Sequence, residues 1–114
     1  MAVCTIVRAS DRVVESTRHG PEIQKQVILR EGVLPNVTQA AIAVLAPHTH
    51  TEPHKHDTMY EVYFCLQGSA TYMIGGEAVE VHAGDFFWVP PDTIHWQKTR
   101  EQAHIIFYWG ISVD

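Results

Sequence analysis

Basic residues are scarce in this sequence: 8 lysines and arginines stand against 13 aspartates and glutamates, for a formal charge of −5 with histidine neutral. A protein that grips a phosphate backbone needs a positive field to displace counterions, and no basic cluster here supplies one. Nucleic-acid partners are therefore excluded. Cysteine is scarce too. The two present, Cys4 and Cys65, lie far apart, and Cys65 sits in the apolar run 63–66, the usual setting of a buried thiol. That usage points to a reducing compartment. Long apolar runs are missing: the longest, 40–47, is far too short to cross a bilayer, and the first ten residues hold Arg8 and no apolar stretch of signal-peptide length. A cytoplasmic protein without a membrane partner is expected. Repeats, low-complexity tracts and helical periodicity are absent as well.

What is present is β-type sequence. The chain of 114 residues fits one domain, with an N-terminal edge segment over 1–30 and a barrel over 38–110. With 46% hydrophobic residues it can build a core without disulfides. Short β-branched and aromatic runs, closed by Gly, Pro and Asp, predict strands at 26–30, 38–45, 61–66, 70–74, 78–82, 86–89, 94–98 and 104–109. Gly75-Gly76 reads as a two-residue hairpin turn of the primed type. Together these predict an all-β sandwich or barrel. The runs 62–66 and 105–109 are apolar on both faces, so both faces must be covered. A homodimer surface does this, or else the N-terminal segment folds over them. That segment, with Arg12, Glu15, Arg18 and Glu22, reads as a solvated loop or an edge strand and carries no assigned chemistry.

The other abundance is histidine. Of 8 histidines, His48, His50, His54 and His56 fall within nine residues. Residues two apart on a strand share a face, with Cα atoms roughly 6.5 Å apart, so His54 and His56 can reach one ion at about 2.1 Å. Glu61 has the opposite parity and joins them only if the chain turns at Asp57-Thr58, which is suitable turn chemistry. His95, after Pro90-Pro91-Asp92, is a distant fourth donor. Three imidazoles and one carboxylate leave positions open for substrate or oxygen on a metal that prefers five or six ligands. Mixed ligands of this kind suit Fe, Mn, Ni, Co and Zn alike.

The spacing His54-x-His56, four residues, Glu61, six residues, Gly68 resembles the first motif of the cupin superfamily. Gly84, Pro90 and His95 are similar to its second motif, and the two span roughly half the chain. Three positions depart from the pattern: His48 and Asp92 stand where glycines are usual, and Thr99 where an asparagine is. Asp92 can adopt the left-handed backbone that favours glycine, so it is a mild change. The resemblance implies a double-stranded β-helix (jelly-roll barrel) holding one divalent metal ion on His54, His56, Glu61 and His95.

Alternation from Glu61 and His95 points Tyr63, Cys65 and Gln97 inward, which makes Tyr63 and Gln97 candidates for contacting a small-molecule substrate or for satisfied core groups. His50 shares parity with His54 and is a further candidate at the pocket mouth, as well as an ordinary solvated residue. His82 reads as surface, and Trp88, Trp96 and Trp109 as core or interface aromatics. Cupins include dioxygenases, decarboxylases, isomerases, lyases, cyclases and non-catalytic binders, so the fold leaves the reaction open. A dioxygenase-like enzyme on a small anionic or hydroxylated organic molecule is expected. Metal-assisted isomerisation, cyclisation or elimination, with Tyr63 or His50 carrying a proton, and simple binding are the alternatives.

Overall fold

The structure, a computed structural model, describes residues 4–17 and 19–114; Arg18 lies outside them. After a 3₁₀ turn at Ala9–Asp11 come nine strands: β1 (Val13–Thr17), β2 (Gly20–Leu29), β3 (Val37–Leu45), β4 (Met59–Gln67), β5 (Ser69–Ile74), β6 (Glu77–His82), β7 (Phe86–Val89), β8 (His95–Lys98) and β9 (His104–Ser112). Six form one antiparallel sheet in the order β1-β2-β3-β9-β4-β7, and three form a second in the order β6-β5-β8. The chain is an all-β barrel of jelly-roll type, as expected. Among the described residues no helix is long and apolar enough to cross a membrane.

Side-chain alternation builds the interior. Leu45 from β3, Tyr63 and Cys65 from β4, Tyr72 from β5, Val81 from β6, Val89 from β7 and Ile106 from β9 are all buried in one cluster. Each large apolar side chain so buried contributes roughly 1.5–3 kcal/mol. Gly75 and Gly76 turn β5 into β6 with φ of 57° and 88°, the primed hairpin that this pair predicts. Gly68 has φ 73°, and a Cβ there would collide with the carbonyl oxygen of Ala103, so only glycine fits between β4 and β5.

The segment before β4 closes the small sheet. His48 N–H donates to Arg100 O (2.8 Å), Thr51 N–H to Gln97 O (2.9 Å) and His54 N–H to His95 O (3.1 Å), which lays residues 48–54 along β8. The buried Thr99 hydroxyl donates to Ala46 O (2.6 Å) and accepts from Thr49 N–H (3.0 Å), stitching down the start of this segment where the usual motif has asparagine.

The sequence expectation falls short at the N-terminus. β1 is an edge strand, one of the two readings of that segment, and β2 runs for ten residues, where its strand was expected only over 26–30. Both join the far edge of the large sheet, so the described N-terminal residues do not fold over the outward face of β4, β7 and β9. Phe64, Leu66, Phe86 and Trp88 on that face stay exposed, by 37% to 57%. The aromatics read as core or interface are thus outside the core: Trp88 is exposed, and Trp96 and Trp109 are half-buried.

Candidate metal centre

Three separate pieces of chain deliver the four expected ligands. His54 and His56 lie on irregular extended chain rather than on a regular strand, and His54 is held to His95 by a reciprocal pair of backbone hydrogen bonds (3.1 and 2.9 Å). The chain bends at Asp57-Thr58, as the parity of Glu61 requires, and Glu61 follows as the third residue of β4. His95 opens β8. Asp92 ties two of these pieces together. Its φ is 59°, so it takes up the left-handed backbone expected of a glycine. Its N–H donates to His56 O (2.8 Å), and its carboxylate accepts from Lys55 Nζ (2.6 Å), between the two histidines. His48 likewise stands at φ 56°, so both departures preserve the backbone of the motif.

The donor atoms of His54, His56, Glu61 and His95 all lie within 4.8 Å of one another. Opposite donors each about 2.1 Å from one ion span about 4.2 Å, so the set needs little contraction to share one. His56 Nε2 is 3.3 Å from Glu61 Oε2, and His95 Nε2 is 3.4 Å from Glu61 Oε1. The outer ring nitrogens are already used: His54 Nδ1 meets Glu52 O and His95 Nδ1 meets Thr93 O, each at 2.8 Å. A ring that donates Nδ1–H to a carbonyl keeps its Nε2 lone pair for a metal, so the donor chemistry fits a divalent cation.

Electrostatics agree. Burial raises the carboxyl of Glu61, but His56, His95 and the Tyr63 hydroxyl that donates to it together hold it well below the usual carboxylate range. It is an anion in the fold. Burial lowers His54 against the opposing pull of the Glu52 carbonyl, keeping that ring neutral and able to ligate. The phenol of Tyr108, inward on β9, is pushed up to about 12 by burial and then by the charge of Glu61.

His54, His56 and Glu61 line a cavity of about 410 Å³, at the small end of the range for small-molecule sites. Tyr63 and Gln97 line it, and each is engaged: Tyr63 by Glu61, and Gln97 Oε1 by the Thr51 hydroxyl (3.0 Å). His50 does not reach it. Its side chain is 65% exposed, 3.8 Å from Glu52, in a separate shallow groove with Trp96 and Lys98. Its isolated bridge pairs it with Lys98 while that of His54 pairs with His95, so four steps on one chain match three on the other. The extra residue is a bulge that reverses parity and puts the buried Thr51 inward in place of His50. The sequence reading passed over His19, Lys25, Gln39 and Met59, which also line the cavity. A lysine flanked two residues either side by Ile23 and Val27 is a signal that was available for one of them.

Comparison with known proteins gives three informative likenesses. The chain is 34% identical over 73 residues to an uncharacterized protein of Methanocaldococcus jannaschii, covering 60% of this chain and 58% of that one. It is 36% identical over 60 residues to quercetin 2,3-dioxygenase of Bacillus subtilis, 53% of this chain but only 17% of the enzyme. It thus spans well under two-thirds of the length of either relative. Among solved structures, one described as a predicted oxalate decarboxylase from Thermotoga maritima superposes with a TM-score of 0.84 at 21% identity, covering 96% of this chain and all of that one, a likeness of fold. The family described as Cupin domain matches residues 41–111, a stretch that holds all four candidate ligands, and the chain belongs to that family.

Proposed function

We propose that this cupin is a metal-dependent enzyme acting on a small oxygen-bearing organic substrate by dioxygenase-like chemistry. One observation carries this reading: three imidazoles and a carboxylate converge at a cavity large enough for such a molecule. The local similarity to quercetin 2,3-dioxygenase supports the oxygen-dependent form of it. A divalent ion held by His54, His56, Glu61 and His95 supplies Lewis acidity and, as iron, redox chemistry. The chain's own part is to position. Tyr63 fixes the Glu61 carboxylate, the Glu52 and Thr93 carbonyls aim two rings, and Ile106 and Ala43 give the cavity an apolar wall.

The test is anaerobic reconstitution with Fe(II), followed by oxygen-uptake assays on flavonols, other phenols, diketones and thiols. Uptake that depends on iron and on Glu61 is expected. No uptake in any metal form would overturn the dioxygenase reading. Turnover without oxygen would instead favour proton-transfer chemistry, for which the Tyr63 hydroxyl on Glu61 is the available pair. A ligand retained through purification and never turned over would make the protein a binder.

The same reading includes a homodimer in the cytoplasm. Phe64, Phe86, Trp88 and Trp109 form an outward aromatic patch, with Phe86 and Trp109 centroids 6.4 Å apart, of the composition typical of protein interfaces. Both cysteines are free. Sedimentation of the wild type and of Trp88→Arg tests the patch: a dimer that the substitution splits is expected.

A further inference from the structure

The wall of the cavity away from the ligands carries a lysine where a barrel core would carry an aliphatic residue. Ile23, Lys25 and Val27 share one face of β2; the two flanking residues are 2% and 5% exposed, and Lys25 points inward between them. Among the described residues lining the cavity it is the only lysine or arginine. Its side chain keeps 23% exposure, and an ammonium there still gains from an anion that meets it. The acid nearest to hand is Glu15, directly opposite on β1, whose carboxylate Lys25 shares with Arg30. Arg30 donates to it at 2.7 Å, while Lys25 Nζ stands 3.9 Å away. The one hydrogen bond of the Lys25 ammonium is a long one, 3.3 Å, to Gln39 Oε1. An ammonium has three donors.

The other titratable groups on this wall bring no second anion to it. Glu61 lies on β4 at the opposite end, held by His56, His95 and Tyr63. His19, beside the ring of His54 with centroids 5.6 Å apart, accepts from Glu52 N–H at 3.4 Å.

We infer that Lys25 is a specificity-determining residue that pairs with a carboxylate on the substrate, distal to the oxygens that face His54, His56, Glu61 and His95. The inference rests on the metal reading above and narrows it. The substrate class becomes hydroxylated or oxo organic acids: oxygen donors at one end, a carboxylate at the other, and a short apolar body along Ile106 and Ala43. Gln39 and Glu15 hold the ammonium in place when no substrate is present, and Arg30, the nearer partner of Glu15, weakens that hold.

Catechol and 3,4-dihydroxybenzoate test this directly, since both offer the same vicinal hydroxyls and differ by one carboxylate. Titrated calorimetrically into the Ni(II)-loaded chain, the benzoate is expected to bind about tenfold more tightly than catechol, the size of one charge-assisted hydrogen bond in a partly screened site. Lys25→Met keeps the aliphatic stem and removes the charge. It is expected to erase that preference while leaving catechol affinity unchanged, and Lys25→Arg is expected to retain a preference. A wild type that prefers neither probe, or a Lys25→Met variant that keeps the preference, overturns the assignment. Nickel content measured on the same samples separates this from the metal reading: a chain that takes up no nickel overturns both, whereas a loaded chain with equal affinities overturns only the role of Lys25.

Discussion

Two buried histidines sit inside this barrel, and their surroundings differ in one respect that decides what each can do. His95 is 1% exposed and His104 is wholly buried. At His95 one ring nitrogen is taken by the Thr93 carbonyl, while the other faces Glu61, itself shared with His56. At His104 both nitrogens find partners in the core: Nε2 meets the Tyr72 hydroxyl at 2.9 Å and Nδ1 lies 3.6 Å from the Cys65 thiol. One ring keeps a lone pair aimed at a charged cluster that opens on a cavity. The other has nothing left to offer. Burial alone therefore says little about a histidine; the state of its second nitrogen says most.

The sharpest break of this contrast is a pair of substitutions. His95→Ala is expected to abolish stoichiometric divalent metal, with affinity down by roughly a hundredfold or more, beyond the effect of losing a mere supporting group. Metal at a thousand times its Kd stabilises the wild type by about 4 kcal/mol, and that gain is expected to vanish in the variant. His104→Ala should do the reverse. It keeps its metal but leaves a cavity and two orphaned partners, at a cost of about 3 kcal/mol. Elemental analysis and urea unfolding, run on both proteins, read the two effects separately. Equal metal loss in both would erase the distinction.

Acid separates the two ends more gently. Burial drives the pKa of His104 down to about 4 from the usual 6.5, against a smaller opposing pull from the Gln67 backbone. A base with a depressed folded pKa takes up its proton more readily when unfolded. Its contribution is fully present above pH 6.5 and is lost as the pH falls from there towards 4, about 3 kcal/mol in all. The metal-free protein should accordingly show a urea midpoint that declines through this window. Burial lowers His54 in the same direction, so His104→Gln is expected to flatten the decline without removing it. A midpoint independent of pH between 6.5 and 4 would show that His104 is not held neutral.

How far the sequence reveals these features depends on distance along the chain and on whether alternation survives. The strands from β3 to β9 were legible because their apolar runs are short and sharply punctuated, and β3, expected at 38–45, forms at Val37–Leu45. His54, His56 and Glu61 could be grouped because a single bend at Asp57-Thr58 resolves their parity. Two features escape strict alternation. Counting by twos puts His50 on the face of His54, but the bulge between them inserts one residue and leaves His50 solvated, the other of its two readings. The β1 segment stays open between a loop and an edge strand, and most of β2 carries no strand signal because Lys25 faces the cavity, so the inward positions of β2 are not all apolar. Alternation gives no guide to His104. Its partners Tyr72 and Cys65 lie 32 and 39 residues away, with no spacing rule to link them.

The smallest expected effects concern what holds the open end in place. His48 and Asp92 are both left-handed, at φ 56° and 59°, where a side chain costs about 1 kcal/mol and glycine costs nothing. They differ in what the side chain does. His48 is exposed and stands apart from the donor cluster, so His48→Gly should stabilise by up to about 1 kcal/mol, less some unfolded-state entropy, and leave metal affinity unchanged. Asp92 clamps Lys55 between the two loop histidines. Asp92→Gly gains the same backbone relief and loses the clamp, so the unfolding midpoint should move little while metal affinity falls by about tenfold, the lower range for outer-sphere support. Competition titrations against a chelator distinguish the pair. If Asp92→Gly binds metal as tightly as His48→Gly, the ligand loop is held by backbone bonds alone, the His54–His95 pair and the N–H of residue 92 to His56 O, and the open end is as self-supporting as the closed one.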